Sequence, residues 1–168
     1  MNSFKATLIG TGIGMTALAL PAAAATVSGN FQALITIQNT CALTTTPTNL
    51  NFGTQGVLIA NVDTTSTIKV TCTTGADYDI GLDAGANESS ANDVDTRRMT
   101  DGSSHYVGYN MYSNAGRTTV WGDIVDTSTV GSTGTGAEQS FTVYGRVPVQ
   151  TTPQAGNYAD TVTVTVTY

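Results

Sequence analysis

Charge is scarce in this sequence, and positive charge is scarcest. Lys and Arg total 6 against 12 Asp and Glu among 168 residues, for a formal net charge of -6. Charged residues make up 11% of the chain, against about 25% in ordinary soluble domains. So few cations leave no basic patch to neutralise phosphates, which excludes a nucleic-acid partner and docking on anionic lipid. Two cysteines and one histidine are too few soft ligands for a structural zinc site or for haem and iron–sulfur ligation. No cofactor and no metal are therefore expected. Helical periodicity is missing from everything after the first 25 residues. What the chain does have is threonine, roughly a fifth of all residues, a bias that favours strand over helix.

Residues 1–25 read as an export signal. Lys5 supplies a positive start, an apolar run extends from Ala6 to Leu20, Pro21 ends it, and Ala22 to Ala25 offer small residues for cleavage. The run is shorter than the roughly 20 apolar residues of a membrane span. No later stretch is apolar enough for membrane insertion, so the expected product is exported. In an oxidising compartment the two cysteines should pair, as Cys41–Cys72. Closing a loop of about 30 residues is worth roughly 3–4 kcal/mol on the chain-entropy estimate.

The rest of the chain alternates with period two. In residues 26–39, Val27, Phe31, Ala33, Ile35 and Ile37 share a face with Gly29, and Leu34 breaks the pattern. Further strands are expected at 50–53, 66–73, 78–82, 105–112, 141–147 and 160–168. Residues 84–90 and 131–136 read as turns. Short alternating strands with frequent turns predict one all-β sandwich or barrel. The ends stand out. The final strand places Val162, Val164, Val166 and Tyr168 on one side and threonines on the other. The leading strand carries large apolar side chains directly after the cleavage site. Residues 27–37 can be the first strand of their own sandwich, or a strand that completes another copy; periodicity does not separate the two.

The order of several motifs does. Cys41, Asn51-Phe52-Gly53, Val70-Thr71-Cys72-Thr73, Arg98-Met99, Tyr109-Asn110-Met111-Tyr112 and Val120-Trp121-Gly122-Asp123 are followed by Val143-Tyr144-Gly145-Arg146-Val147-Pro148 and by Pro153 through Val166, with Gly156-Asn157-Tyr158-Ala159-Asp160 at a turn. Together they resemble the spore coat protein U family, to which the subunits of archaic (Csu-type) chaperone–usher pili belong. The resemblance implies an incomplete immunoglobulin-like β-sandwich at 41–168, missing its last strand, preceded by an N-terminal donor-strand extension at 26–40. It implies donor residues Val27, Phe31, Ala33, Ile35 and Ile37, and a groove edged by the strand of Val162, Val164, Val166 and Tyr168. It further implies a periplasmic chaperone that fills the groove first, an outer-membrane usher where the next subunit's strand replaces it, and identical or related subunits joined head to tail in a surface fibre serving adhesion and biofilm formation. In that family basic residues of the chaperone grip the terminal carboxylate, here that of Tyr168.

Competing chemistry is thin. His105 has no Ser nucleophile in a recognisable elbow and no acid at suggestive spacing, so no enzyme is expected. Asp77 with Asp79, and Asp93 with Asp95 before Arg97 and Arg98, lack the ligand count and turn glycine of a calcium loop; they read as solubilising acids or partners of the arginines. Trp121, Tyr106, Tyr109 and Tyr112 could instead line a sugar-binding face. A non-fibrillar coat protein built by the same pairing, a subunit that completes itself, and a carbohydrate-binding module stay open as alternatives.

Overall fold

A computed structural model describes residues 23–168. Most of the expected export signal, residues 1–25, lies outside them. The chain divides at Ile35 into a leading segment and a body, Thr36–Tyr168. In the leading segment no described residue is in a strand. The body is all-β: β1 (Cys41–Leu43), β2 (Val62–Cys72), β3 (Asp77–Leu82), β4 (Arg98–Thr100), β5 (Tyr106–Gly108), β6 (Asn110–Tyr112), β7 (Val130–Thr133), β8 (Glu138–Val147) and β9 (Val164–Thr167), with one 3-10 turn at Val94–Thr96. One sheet has the order β1-β2-β8-β6, a second β7-β3-β9, and β4 with β5 makes a separate ribbon. Every strand pair is antiparallel.

The centre of the first sheet is the long β2–β8 pairing, with Val62 opposite Val147 at one end and Thr71 opposite Glu138 at the other. Its alternation sends Ile68, Val70, Cys72, Val143 and Val147 inward, where they meet Tyr78, Ile80 and Leu82 of β3. The outward face is polar: Arg146 reaches Asp63 through Nε and Nη2, both at 2.8 Å, and Lys69 meets Glu138 at 2.7 Å. Cys41 and Cys72 are directly opposite in register and joined by a disulfide. The bond therefore ties the three-residue edge strand β1 to the central strand β2.

Three sequence expectations change. Residues 105–112 are not one strand; β5 and β6 belong to different sheets. The break is at Tyr109, whose N–H donates to the Arg97 carbonyl at 3.1 Å while its ring is buried. Part of the 131–136 turn is the edge strand β7, where Gly131 lies close against Asp79; a Cβ there would come within 3.3 Å of Asp79 Oδ1. Arg97 does not pair with Asp93 or Asp95. It is buried, and its guanidinium donates to the carbonyls of Leu82, Asp83 and Trp121 and to Asn110 Oδ1 at 2.6–2.9 Å. A planar fork with five donors suits this convergence of carbonyls at the end of β3. Trp121 locks the same place by donating from Nε1 to the Ile80 carbonyl at 2.7 Å.

Because Arg97 satisfies several otherwise orphaned carbonyls, Arg97→Met is expected to destabilise the body by about 3 kcal/mol or more. Chemical denaturation with the disulfide intact measures this, and a loss below about 1 kcal/mol would show that the carbonyls find other partners.

Candidate functional site

The body holds a long cleft of about 1150 Å³. One rim is the chain from Leu43 to Leu58, the other the chain from Thr152 to Val164. Its floor is apolar: Ile68 from β2, Leu82 from β3, Val107 from β5, Met111 from β6, Val143 and Val147 from β8. The topology explains why it is open. β1 is the edge of one sheet and β9 the edge of the other, and each has a hydrogen-bonded neighbour on one side only. The rims come from chain that the sequence predicts as strand but that lacks a ladder. Residues 50–53 and 160–163 have no strand assignment.

A few main-chain bonds and several side chains hold the rims in place instead. On the first rim, Thr44 N–H donates to the Lys69 carbonyl at 3.1 Å and Thr67 N–H to Thr48 Oγ1 at 3.1 Å. Buried Ser66 donates from Oγ to the Thr48 carbonyl. Beyond Thr48 the chain leaves β2 and lays Leu50 over Gly145. A Cβ on residue 145 would lie 2.6 Å from Leu50 Cδ2, so the glycine of the Tyr-Gly-Arg motif makes room for a rim residue. On the second rim two carboxylates do the work of a ladder. Asp83 Oδ1 accepts from the Gly85 and Thr163 N–H groups, both at 2.9 Å. Asp160 accepts from Ala86 N–H at 3.0 Å, Asn87 Nδ2 at 2.8 Å and Tyr109 Oη at 2.8 Å. Gly85, at φ +83°, leaves the space that Asp160 fills, since a Cβ there would overlap its carboxylate. Burial pushes the Tyr109 hydroxyl up, and its bond to Asp160 adds to this, so it stays a donor. Burial works to raise the Asp83 carboxyl, but the hydrogen bonds from Thr163 and Gly85, with Arg97 nearby, outweigh it and hold it below the usual carboxylate value.

The residues expected to act at the site are distributed unevenly. Val162 and Val164 line the cleft. Val166 packs on the core, and Tyr168 is exposed and outside the cleft lining. Val27, Phe31, Ile35 and Ile37 are exposed, Phe31 at 92% and Ile35 at 85%; Ala33 is exposed as well. Leu50, Phe52 and Leu58 on the first rim, and the clamps Asp83 and Asp160, were not singled out by periodicity. Their sequence signals are the short Leu50-Asn51-Phe52 alternation, the Asn51-Phe52-Gly53 and Gly156-Asn157-Tyr158-Ala159-Asp160 motifs of the family resemblance, and an acid immediately before the Thr/Val run.

The other candidates do not assemble into a chemical site. His105 Nδ1 lies 2.7 Å from Asp101 Oδ2 on the same loop. Asp77 and Asp79 accept from the Thr133 and Thr129 hydroxyls, each at 2.7 Å, and Asp93 caps the 3-10 turn by accepting from Asp95 N–H. Among the described residues no group of three His, Cys, Asp or Glu gathers as a metal site requires. The four aromatics do not share a face. Trp121 and Tyr109 are buried, and the exposed ring of Tyr106 carries the Arg98 guanidinium 3.7 Å from its centroid.

Comparison with known proteins follows the same line. Residues 27–165 match the family described as Spore Coat Protein U domain. The chain is 29% identical over 180 aligned positions to Protein U of Myxococcus xanthus, covering 100% of both. Its fold is similar to a chain in the crystal structure of the CsuC–CsuE chaperone–tip adhesion subunit pre-assembly complex from archaic chaperone–usher Csu pili of Acinetobacter baumannii. The TM-score is 0.57 at 25% identity over 79% of this chain. The match spans 40% of the solved chain.

A carboxylate held below its unfolded value stabilises the fold at pH above that value, about 3.9 for Asp, and the contribution is lost as pH falls through the folded value. Asp83→Ala should therefore cost about 1–3 kcal/mol at neutral pH, with the gap to the unsubstituted chain shrinking as pH falls below about 3.9. Urea denaturation across that range measures it; a gap independent of pH would remove Asp83 as an ionised clamp.

Proposed function

The chain belongs to the spore coat protein U domain family, and from that premise we propose that it is a structural subunit of a surface fibre, polymerising by donor-strand exchange. One observation carries this: an apolar cleft between two sheet edges that lack neighbours, in a chain whose leading segment exposes an alternating apolar face. An unpaired edge offers a row of N–H and C=O groups. A strand laid along it gains main-chain hydrogen bonds, while its alternate side chains fill the floor. Val27, Phe31, Ile35 and Ile37 of a neighbouring copy, with Ala33 between them, supply that strand. Four large side chains at roughly 1.5–3 kcal/mol each give about 6–12 kcal/mol gross, from which the ordering of a free segment is subtracted. A cleft bordered by more than ten residues of chain on each rim fits a polypeptide strand better than a compact small molecule.

The chain would travel by export to the periplasm, be held there by a chaperone occupying the same cleft, and be handed at an outer-membrane usher to the next subunit. The similarity to a subunit solved with its chaperone supports the first of these partners. Fibres at the surface would serve adhesion and biofilm formation. The family and the fold are structural ones, and no catalytic role is proposed. A non-fibrillar coat assembled by the same strand addition is the second reading, favoured by the full-length match to Protein U; electron microscopy of expressing cells separates fibre from coat.

Replacing Phe31 and Ile35 together by Asp puts two charges where the cleft offers no partner, at several kcal/mol each. Polymers on native gels should disappear while capture by the chaperone is unchanged, because the body is untouched. Normal polymers from this double variant would remove the donor-strand assignment.

A further inference from the structure

At one end of the body two loops are laced together. Leu58 N–H donates to Thr152 Oγ1 at 2.8 Å, Val149 N–H to Asn61 Oδ1 at 3.2 Å, and Gln150 N–H to the Leu58 carbonyl at 3.2 Å. Leu58 turns inward and lines the cleft. Val57 and Ile59 on either side of it turn outward, 71% and 81% exposed, and Val149 is 59% exposed. Neither 56–60 nor 148–153 contains a charged residue. Solitary exposed aliphatics are ordinary; three on two interlaced loops at the mouth of an apolar cleft form a patch.

The opposite end of the body holds the root of the leading segment. The Thr73 N–H donates to the Thr40 carbonyl at 3.0 Å, Thr73 Oγ1 to the Gln38 carbonyl at 3.1 Å, and Thr40 N–H to Thr73 Oγ1 at 3.2 Å. Cys41 and Cys72, the next residues inward, are covalently joined. Gln38 is thus already fastened to the body, and Ile37, the last donor residue, adjoins it with no free tether. Around this root lie the loops 73–76 and 134–137, joined by Gly75 N–H to the Gly134 carbonyl at 2.8 Å. They too carry no charge, and they present Thr74, Gly75, Thr135, Gly136 and Ala137.

The following rests on the donor-strand reading above. The C-terminal segment runs toward the root end, since Thr167 pairs with Asp79 and Val164 with Leu82. A strand added antiparallel to it, as every strand of the body is to its neighbours, leaves the cleft at the Leu58–Thr152 mouth. We infer that Val57, Ile59 and Val149 form a docking surface for a second copy of this chain, namely the root end of the copy whose leading strand occupies the cleft. With no tether between Ile37 and Gln38 the two bodies are drawn into contact. An uncharged aliphatic knob then meets uncharged loops of small residues, which allow close approach. The joint between subunits is consequently stiff.

The test compares fibres of the full chain with fibres of the triple variant Val57→Asn, Ile59→Thr, Val149→Thr. These side chains are exposed, and an unchanged melting temperature of the isolated subunit confirms that the body is intact. The variant is expected to polymerise but to give fibres whose persistence length in electron micrographs is several-fold shorter. Inserting Gly-Ser-Gly between Ile37 and Gln38 is expected to loosen them in the same way. Variant fibres as straight as those of the unsubstituted chain would overturn the docking surface and leave donor-strand exchange standing. Failure of the unsubstituted chain to polymerise would overturn both.

Discussion

Two sheet edges border a common apolar floor, and the body has no strand of its own to lay between them. β1 is hydrogen-bonded to β2 alone and β9 to β3 alone, while Ile68, Leu82, Val143 and Val147 line the cleft beneath. These side chains are themselves buried in the core; in an ordinary sandwich a strand of the same molecule would also run along the edges above them. Here the sequence spends its alternating, strand-forming residues at the start of the chain, where they are exposed. The remaining features are responses to that arrangement: they keep the rims in place where no ladder does.

An open edge usually costs order, because a strand paired on one side has few contacts to fix it. Side-chain devices compensate here. Asp83 and Asp160 accept backbone N–H groups across the rim where β9 has not yet begun. Arg97 and Trp121 bind the carbonyls where β3 ends. The disulfide joins β1 to the middle of its sheet. On the proposed donor-strand reading, a cleft held in this way would lose little entropy when filled, so more of the burial energy would appear as affinity. Gly145 fits the same logic, because an added side chain there would press on Leu50, which lines the cleft.

Much of the fold was legible because period-two alternation reports burial directly. The cores of β2, β3 and β8 sit where Ile68, Val70, Tyr78, Ile80 and Val143 alternate with polar residues. The vacancy was not legible from periodicity. Leu50 and Phe52 alternate like strand residues yet pair with nothing, because a half-strand waiting for a partner has the composition of a strand already paired. The break at Tyr109 was hidden because each half, Tyr106–Gly108 and Asn110–Tyr112, is too short for its sheet to be read from pattern. Arg97 read as a loop cation, since its partners are carbonyls brought together only by the fold, and carbonyls leave no mark in a sequence. The motif order that resembles a family pointed to the missing strand; the residues alone left it open.

On the proposed donor-strand reading, polarity is what would turn the cleft into a linear assembly. The cleft opens at the end of the body where Leu58 meets Thr152, and the leading segment is rooted at the other, on Thr73. The proposed donor root and the cleft mouth are therefore different surfaces at the two ends of β2, whose eleven residues at roughly 3.3 Å each span about 36 Å. An interface between unlike patches does not close on two copies but repeats, so on the proposed donor-strand reading each addition would present a fresh cleft. A root fastened beside a disulfide also sets where tension enters. A pull on Thr40 passes through Cys41 to Cys72 at the C-terminal end of β2, so the short edge strand β1 is not peeled away from its N-terminal end. On the donor-strand reading proposed above, the Cys41–Cys72 bond and the hydrogen bonds at Thr73 would belong with the cleft, since a subunit held by its neighbour's strand would be no stronger than the point where that strand leaves its own body.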